Sequence, residues 1–274
     1  MPESADRYFE HAGARLRYRD AGTGPPLLLI HGWALDLEAW DDVAKALAAK
    51  HRVLRADRRG FGLSSGTPDL DADAADTVAL LDHLQLARAA VLGMSQGARV
   101  ALRVAANHPD RVACLLLDGA PLLPGLPAQA WAEETPLAAY RALLHSQGIA
   151  AVRGLLASHP LLRPRSPDRA THARVAAMLG RYRGSDLALE AITSAPSPGT
   201  ANAGLPTPLM PVLVLNGEYD SAQRLAVGAA LATAWPTASR RLVRRAGHLA
   251  CLDQPRIYAG FVDEFVSSHL DRPA

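Results

Sequence analysis

The chain is short of cysteine: 274 residues contain two, Cys114 and Cys251. Two thiols make no disulfide framework and suggest a reducing compartment. Neither lies in a C-x-x-C pair or a Cys/His cluster, so a zinc ion has no obvious ligands. Long hydrophobic runs are missing too: none approaches the roughly 18 residues of a membrane span. The opening Met1-Pro2-Glu3-Ser4-Ala5-Asp6-Arg7 has no apolar h-region, so no secretory signal is expected in it. Together these absences make a cytoplasmic location the expectation. Nor does charge of one sign dominate. Lys+Arg number 29 and Asp+Glu 27, a net +2. The arginine pairs Arg58-Arg59, Arg240-Arg241 and Arg244-Arg245 do not alternate with aromatics. Nucleic-acid binding is therefore not indicated. There is no internal repeat.

What is present is a globular composition, 49% hydrophobic and 20% charged. The length suits one large α/β domain or a core domain with an insertion. Short apolar runs at Leu27–Ile30, Val53–Ala56, Ala89–Leu92, Val112–Leu117 and Val212–Leu215 suit strands buried on both faces of a parallel sheet. Tyr8–Glu10 and Leu16–Asp20 read as a first hairpin around Ala12-Gly13. Leu242–Arg244 reads as a weaker last strand. Leu37–Ala49, Asp73–Leu86, Ala98–Asn107, Ala222–Ala234 and Ile257–His269 read as helices between the strands. Alternation of this kind implies a parallel sheet covered by helices on both sides.

Pro121–Pro211 breaks the alternation. It is rich in proline and has no convincing strand. Helices are expected at Leu137–His145, Ala150–Ser158, Ala170–Tyr182 and Ser185–Ala191. The segment reads as a helical lid between two core strands. The expected divisions are core 1–120, cap 121–211 and core 212–274.

Gly93-Met94-Ser95-Gln96-Gly97 joins a strand to a helix with serine at the apex. Flanking glycines remove Cβ clashes in such a tight turn, and the helix N-terminus favours developing negative charge. A serine hydroxyl needs a base, and the base needs an orienting acid. If Ser95 is the nucleophile, the acid and then the histidine follow it in the chain. His248 follows the last strand and is preceded by Gly247. His269, at the end of the last helix, is expected to be solvated. Asp220 lies just past the strand Val212–Leu215, with Glu218 and Asp118 as competing acids. An oxyanion hole needs two backbone N–H donors. Gln96 and Trp33, within His31-Gly32-Trp33, are the candidates, and His31 is expected to brace that loop. Asp57 through Ser64 has G-x-G spacing but lacks the third glycine and the prompt helix of a dinucleotide loop. It reads as a structural turn.

These stretches, in this order, resemble the α/β-hydrolase superfamily, of the lidded serine esterase and lactonase type. The resemblance implies an α/β fold: an eight-stranded mostly parallel sheet with helices on both faces, an antiparallel first hairpin and an inserted helical cap. It also implies Ser95, Asp220 and His248 as a triad. One departure is Ala98, where many relatives carry a second glycine. A serine at position 95 argues against relatives with a carboxylate nucleophile.

The expected activity is hydrolysis of a carboxylic ester or lactone of a small to medium, mostly apolar substrate through an acyl-enzyme. No metal or organic cofactor is required. A C–C bond hydrolase, an acyltransferase and a cofactor-free peroxidase or perhydrolase share the same constellation. So does a ligand-binding regulatory protein. Trp33, Trp131, Met178 and Tyr182 are candidate pocket residues. Trp131, Tyr140, Met178 and Tyr182 serve equally as the lid's own core. One of the lid arginines (153, 163, 165, 169, 174, 181, 183) is a candidate partner for a substrate carboxylate, and most are expected to be solvated. Oligomeric state is not legible.

Overall fold

A computed structural model describes residues 5–119, 136–188 and 207–270. Eight strands form one sheet: β1 (Arg7–His11), β2 (Ala14–Ala21), β3 (Pro26–Ile30), β4 (Arg52–Ala56), β5 (Ala89–Met94), β6 (Val112–Asp118), β7 (Val212–Gly217) and β8 (Ala238–Val243). Their spatial order is β1-β2-β4-β3-β5-β6-β7-β8. β1 pairs antiparallel with β2, and β2 antiparallel with β4; every other pairing is parallel. The central runs are apolar because both faces are covered. Leu27 and Leu29 join one hydrophobic cluster, while Leu28 and Ile30 join the other. Leu116 and Leu117 divide in the same way.

Several helices begin where a side chain satisfies free N–H groups, as at Asp69, Asp168 and Ser221. After a short 3-10 turn at Leu37–Trp40, capped by Asp36, come α1 (Asp41–Leu47) and α2 (Leu70–His83). Asp69 caps α2 by accepting from the backbone of Asp71 and Ala72, so this helix starts three residues before the expected Asp73. α3 (Gln96–Asn107) follows Ser95. Between β6 and β7 lie α4 (Leu137–Ala157), α5 (Arg169–Arg181) and α6 (Ser185–Ala188), with no strand among the described residues. Gly148 breaks the helical path of α4, close to where two separate helices are expected. The end of the expected helix to Ala191 lies outside the described residues. α7 (Ala222–Ala234), α8 (Ala250–Asp253) and α9 (Pro255–His269) complete the chain.

The last strand is a correction. It runs from Ala238 to Val243, not Leu242–Arg244. Its Ser239-Arg240-Arg241 stretch hides the strand signal because β8 is an edge strand and only Val243 is fully buried. Among the described residues, no helix is long and apolar enough to cross a membrane.

Candidate active site

The site lies at the C-terminal ends of the parallel strands. β5 ends at Met94, and Ser95 occupies the N-cap of α3 at φ 53 and ψ −113. A non-glycine residue at positive φ is strained, so the surroundings must hold it. The Ser95 N–H donates to the Asp118 carbonyl at 2.7 Å, tying the turn to the end of β6. The flanking glycines answer close approaches. A Cβ on Gly93 would stand 2.3 Å from the Gly97 carbonyl oxygen. One on Gly97 would stand 2.3 Å from the Ile30 oxygen, at the end of β3.

His248 is placed by the loop after β8. The Gly247 N–H donates to Asp253 at 2.8 Å, and the Tyr219 N–H donates to the Ala246 carbonyl at 2.8 Å. The loops after β7 and β8 are thereby locked together. His248 Nδ1 lies 3.0 Å from Asp220 Oδ1, and both side chains are buried. An ionised carboxylate only accepts, so Nδ1 carries the proton and Nε2 is left as the basic nitrogen. Burial raises the Asp220 pKa. The charge and hydrogen bond of His248, with the charge of Arg224, outweigh burial and leave the carboxyl below its ordinary value.

The competing acids point elsewhere. Glu218 accepts from the Arg245 N–H at 2.9 Å. Asp118 accepts from the Tyr258 hydroxyl at 3.1 Å. Complete burial, with Asp220 charged nearby, pushes the Asp118 carboxyl well above its ordinary value. His269 is exposed, with its ring on the Phe265 carbonyl.

The His248 ring rests on Gly119, where a Cβ would approach within 2.5 Å of Cε1. Asp118 and Gly119 thus carry Ser95 on one side and His248 on the other. Among the described residues, Ser95 Oγ and His248 make no hydrogen bond. The hydroxyl instead lies 3.5 Å from Arg224 Nη1, which also donates to the Gly119 carbonyl at 2.7 Å. Sequence reasoning missed Arg224. It sits in the first turn of α7, and no pattern separates it from the other arginines.

The backbone N–H groups of Trp33 and Gln96 donate to no acceptor among the described residues. The loop before Trp33 is braced as expected. The Arg58 N–H donates to His31 Nε2 at 2.9 Å, and His31 Nδ1 donates to the Gly32 carbonyl at 2.8 Å. Full burial, then the Arg58 charge, lower the His31 pKa to about 3 despite the bond to Gly32, so the ring is neutral. Asp57 accepts from the backbone of Leu37 and Leu63 and from Arg17, which makes Asp57 through Ser64 a structural turn.

The candidate pocket residues divide. Trp33 packs at a tilt against Tyr140 and edge-on to Tyr182, and its indole donates to Asp186 at 2.6 Å. Tyr182 donates to the same carboxylate at 2.6 Å. Met178 and Tyr182 are buried in one hydrophobic cluster with Tyr140, Val152 and Leu156. Trp131 lies outside the described residues. A cavity of about 610 Å³ opens beside His248 and Asp220, lined also by Arg163, Arg165, His172 and Tyr219. Its lining mixes these polar side chains with Pro160, Leu161 and Pro164. Several lid arginines are not solvated. Arg174 pairs with Asp42, Arg181 with Asp36 and Glu38, and Arg183 donates to the Gly62 and Ser64 carbonyls.

Known proteins are similar to this chain in fold or in sequence. A thermophilic esterase from Thermogutta terrifontis, in a malate-bound structure, is 25% identical with a TM-score of 0.81, covering 97% of this chain and all (100%) of that one. An N-acyl homoserine lactone degrading enzyme is 25% identical with a TM-score of 0.72, over 95% of this chain and 100% of that one. A 2-hydroxymuconate semialdehyde hydrolase from Pseudomonas sp. (strain CF600) is 36% identical over 145 residues, 48% of this chain and 51% of the relative. The match to such curated relatives spans about half of their length or less, down to 30%. The family model for the alpha/beta hydrolase fold matches residues 25–255, and the chain belongs to that family.

Proposed function

We propose that this chain is a serine hydrolase that cleaves a carboxylic ester or lactone through an acyl-enzyme on Ser95. The observation that carries this reading is the Asp220–His248 hydrogen bond of 3.0 Å, set across Gly119 from a serine held at positive φ. Asp220 fixes the tautomer that leaves His248 Nε2 basic. Rotation of Ser95 about χ1 moves its hydroxyl from Arg224 towards that nitrogen. Such contacts are often long before substrate binds. Ser95 Oγ then adds to the carbonyl carbon while its proton passes to Nε2. The N–H groups of Trp33 and Gln96 receive the oxyanion, and the positive end of α3 favours it. His248 protonates the departing alcohol. Water repeats the sequence on the acyl-enzyme and releases the acid. The helical segment between β6 and β7 acts as the cap over this centre.

The esterase and lactone-degrading neighbours support ester chemistry. The C–C hydrolase relative makes carbon–carbon cleavage the second reading. Ser95→Ala is expected to lower kcat by roughly 10⁴- to 10⁶-fold with an unchanged circular dichroism spectrum. A serine-directed fluorophosphonate should label the wild type and not the variant. Near wild-type kcat in Ser95→Ala on an ester that the protein hydrolyses would sink the proposal. Labelling without turnover on a panel of esters and lactones would favour the C–C or ligand-binding readings.

A further inference from the structure

Three elements of the helical segment between β6 and β7 meet on Trp33. Tyr140 comes from α4, Tyr182 closes α5 and Asp186 lies in α6. The Trp33 indole donates to Asp186 Oδ2 at 2.6 Å, and the Tyr182 hydroxyl donates to Oδ1 at 2.6 Å. Burial, then the Asp186 charge and hydrogen bond, push the Tyr182 hydroxyl well above its ordinary value, so it keeps its proton. Asp186 is 6% exposed, and among the described residues no cation pairs with it. A buried carboxylate held by neutral donors alone costs free energy, and an apolar residue would pack there at less cost. Packing therefore does not account for Asp186.

The backbone around Trp33 bears on the nucleophile. Gly32 passes so close that a Cβ on it would stand 3.5 Å from Ser95 Cβ and 2.9 Å from Met94 Cε. Ala34, directly after Trp33, sits at φ 59. A non-glycine residue in that region is strained, and it stays there only where its neighbours hold it. His31 braces the loop on one side of Trp33, through Arg58 and Gly32. The clamp on the indole holds the other. The two supports are in contact: Tyr182 stacks on Phe61 at 6.1 Å, and Phe61 packs edge-on to His31.

Resting on the Ser95 reading above, we propose that Asp186 is a positioning residue for the oxyanion hole: by holding the Trp33 indole it fixes the Trp33 backbone N–H where negative charge develops. Asp186 touches no reacting atom and transfers no proton; it acts through Trp33. A donor displaced by about 1 Å loses much of its effect on a transition state, so a clamp on the side chain of the donor residue has a catalytic consequence.

The rate of fluorophosphonate labelling tests this without turnover. Ser95 Oγ bonds to phosphorus, fluoride leaves, the serine proton passes to His248, and the phosphonyl oxygen occupies the oxyanion hole. The final extent of labelling counts intact sites, whereas the rate reports the hole. In Asp186→Ala the rate should fall roughly 10- to 100-fold at full extent. Asp186→Asn has the same shape and keeps one acceptor oxygen, so its loss should be smaller. Trp33→Phe keeps the backbone N–H but removes the indole donor, and should cost about as much as Asp186→Ala. The double variant should lose no more than either single one, within roughly threefold. On p-nitrophenyl acetate the same losses should appear in kcat, with KM changed less than about threefold. A wild-type rate at reduced extent in Asp186→Ala would show a structural role alone and overturn the proposal. Losses that multiply in the double variant overturn it too, since Asp186 would then act independently of Trp33. If Asp186→Ala does not fold, a wild-type rate in Asp186→Asn and Trp33→Phe has the same force. A wild type that fluorophosphonate does not label rejects the Ser95 reading, and this proposal with it. A labelled wild type with an undiminished rate in the variants rejects the role of Asp186 and leaves Ser95 standing.

Discussion

The choice of acid shows what single residues decide. Asp118 and Asp220 both stand just past buried strands, and both are buried. Only Asp220 touches His248; Asp118 faces the Tyr258 hydroxyl. Asp220→Asn offers a donor where Nδ1–H needs an acceptor and is expected to lower kcat by roughly 10³- to 10⁴-fold. Asp118→Asn keeps an acceptor for the Tyr258 hydroxyl, and Asp118 makes no bond to His248. Its kcat should stay within roughly an order of magnitude of the wild type. Steady-state kinetics on one ester, with folding checked by circular dichroism, decides between them. A larger loss in Asp118→Asn would move the acid to β6. The order Ser95, Asp220, His248 was legible because each falls at a strand end. Arg224 was not. A long side chain's reach depends on what packs around it, and two residues that Arg224 reaches, Gly119 and Ser95, lie 105 and 129 positions away.

At the scale of elements, the helices between β6 and β7 are bolted down by charge. Arg181, at the end of α5, pairs with Asp36 at 2.7 Å and with Glu38 at 2.5 Å. Asp36 is 1% exposed, and burial raises its pKa against the pull of Arg181. Arg181→Ala removes the cation and leaves that carboxylate without its ion pair. A loss of about 1–3 kcal/mol in urea unfolding is expected, the arginine being partly exposed. Limited proteolysis should also cut sooner within residues 137–188. An unchanged cleavage pattern would show that apolar packing through Tyr140, Met178 and Tyr182 holds these helices alone. Helix positions here were readable from periodicity and caps. The attachment was not, because Asp36 lies 145 positions from Arg181. β8 was misplaced because an edge strand needs only one buried face.

At the scale of the whole molecule, stability against acid reports a buried group. His31 is neutral in the fold, with its pKa lowered from 6.5 to about 3. The unfolded chain therefore takes up a proton that the native state refuses. Its contribution to stability is complete above pH ~6.5 and is lost as pH falls towards ~3, with a slope of up to about 1.4 kcal/mol per unit. Asp57 acts in the opposite sense. Burial, beside the Asp36 charge, raises it to about 6, so the native state keeps a proton that the unfolded chain releases above its ordinary 3.8. That contribution weakens as pH rises. The two partly offset each other, so the difference between variants is the useful quantity. His31→Gln should give a stability that falls less steeply than the wild type between pH 6.5 and 4.5, measured by urea midpoints. Parallel curves would show that His31 does not refuse its proton.

The sequence by itself determined the sheet and the elbow. Apolar runs set which segments are buried on both faces, and glycine at 93 and 97 is dictated by backbone contacts that tolerate no Cβ. It also determined the order in which serine, acid and histidine meet the sheet edge. Only the tertiary structure decided which acid touches His248, where Met178 and Tyr182 pack, and that a guanidinium stands beside Ser95. Local pattern follows from the period of each element. Contacts between side chains far apart in the chain exist only after packing has chosen their directions.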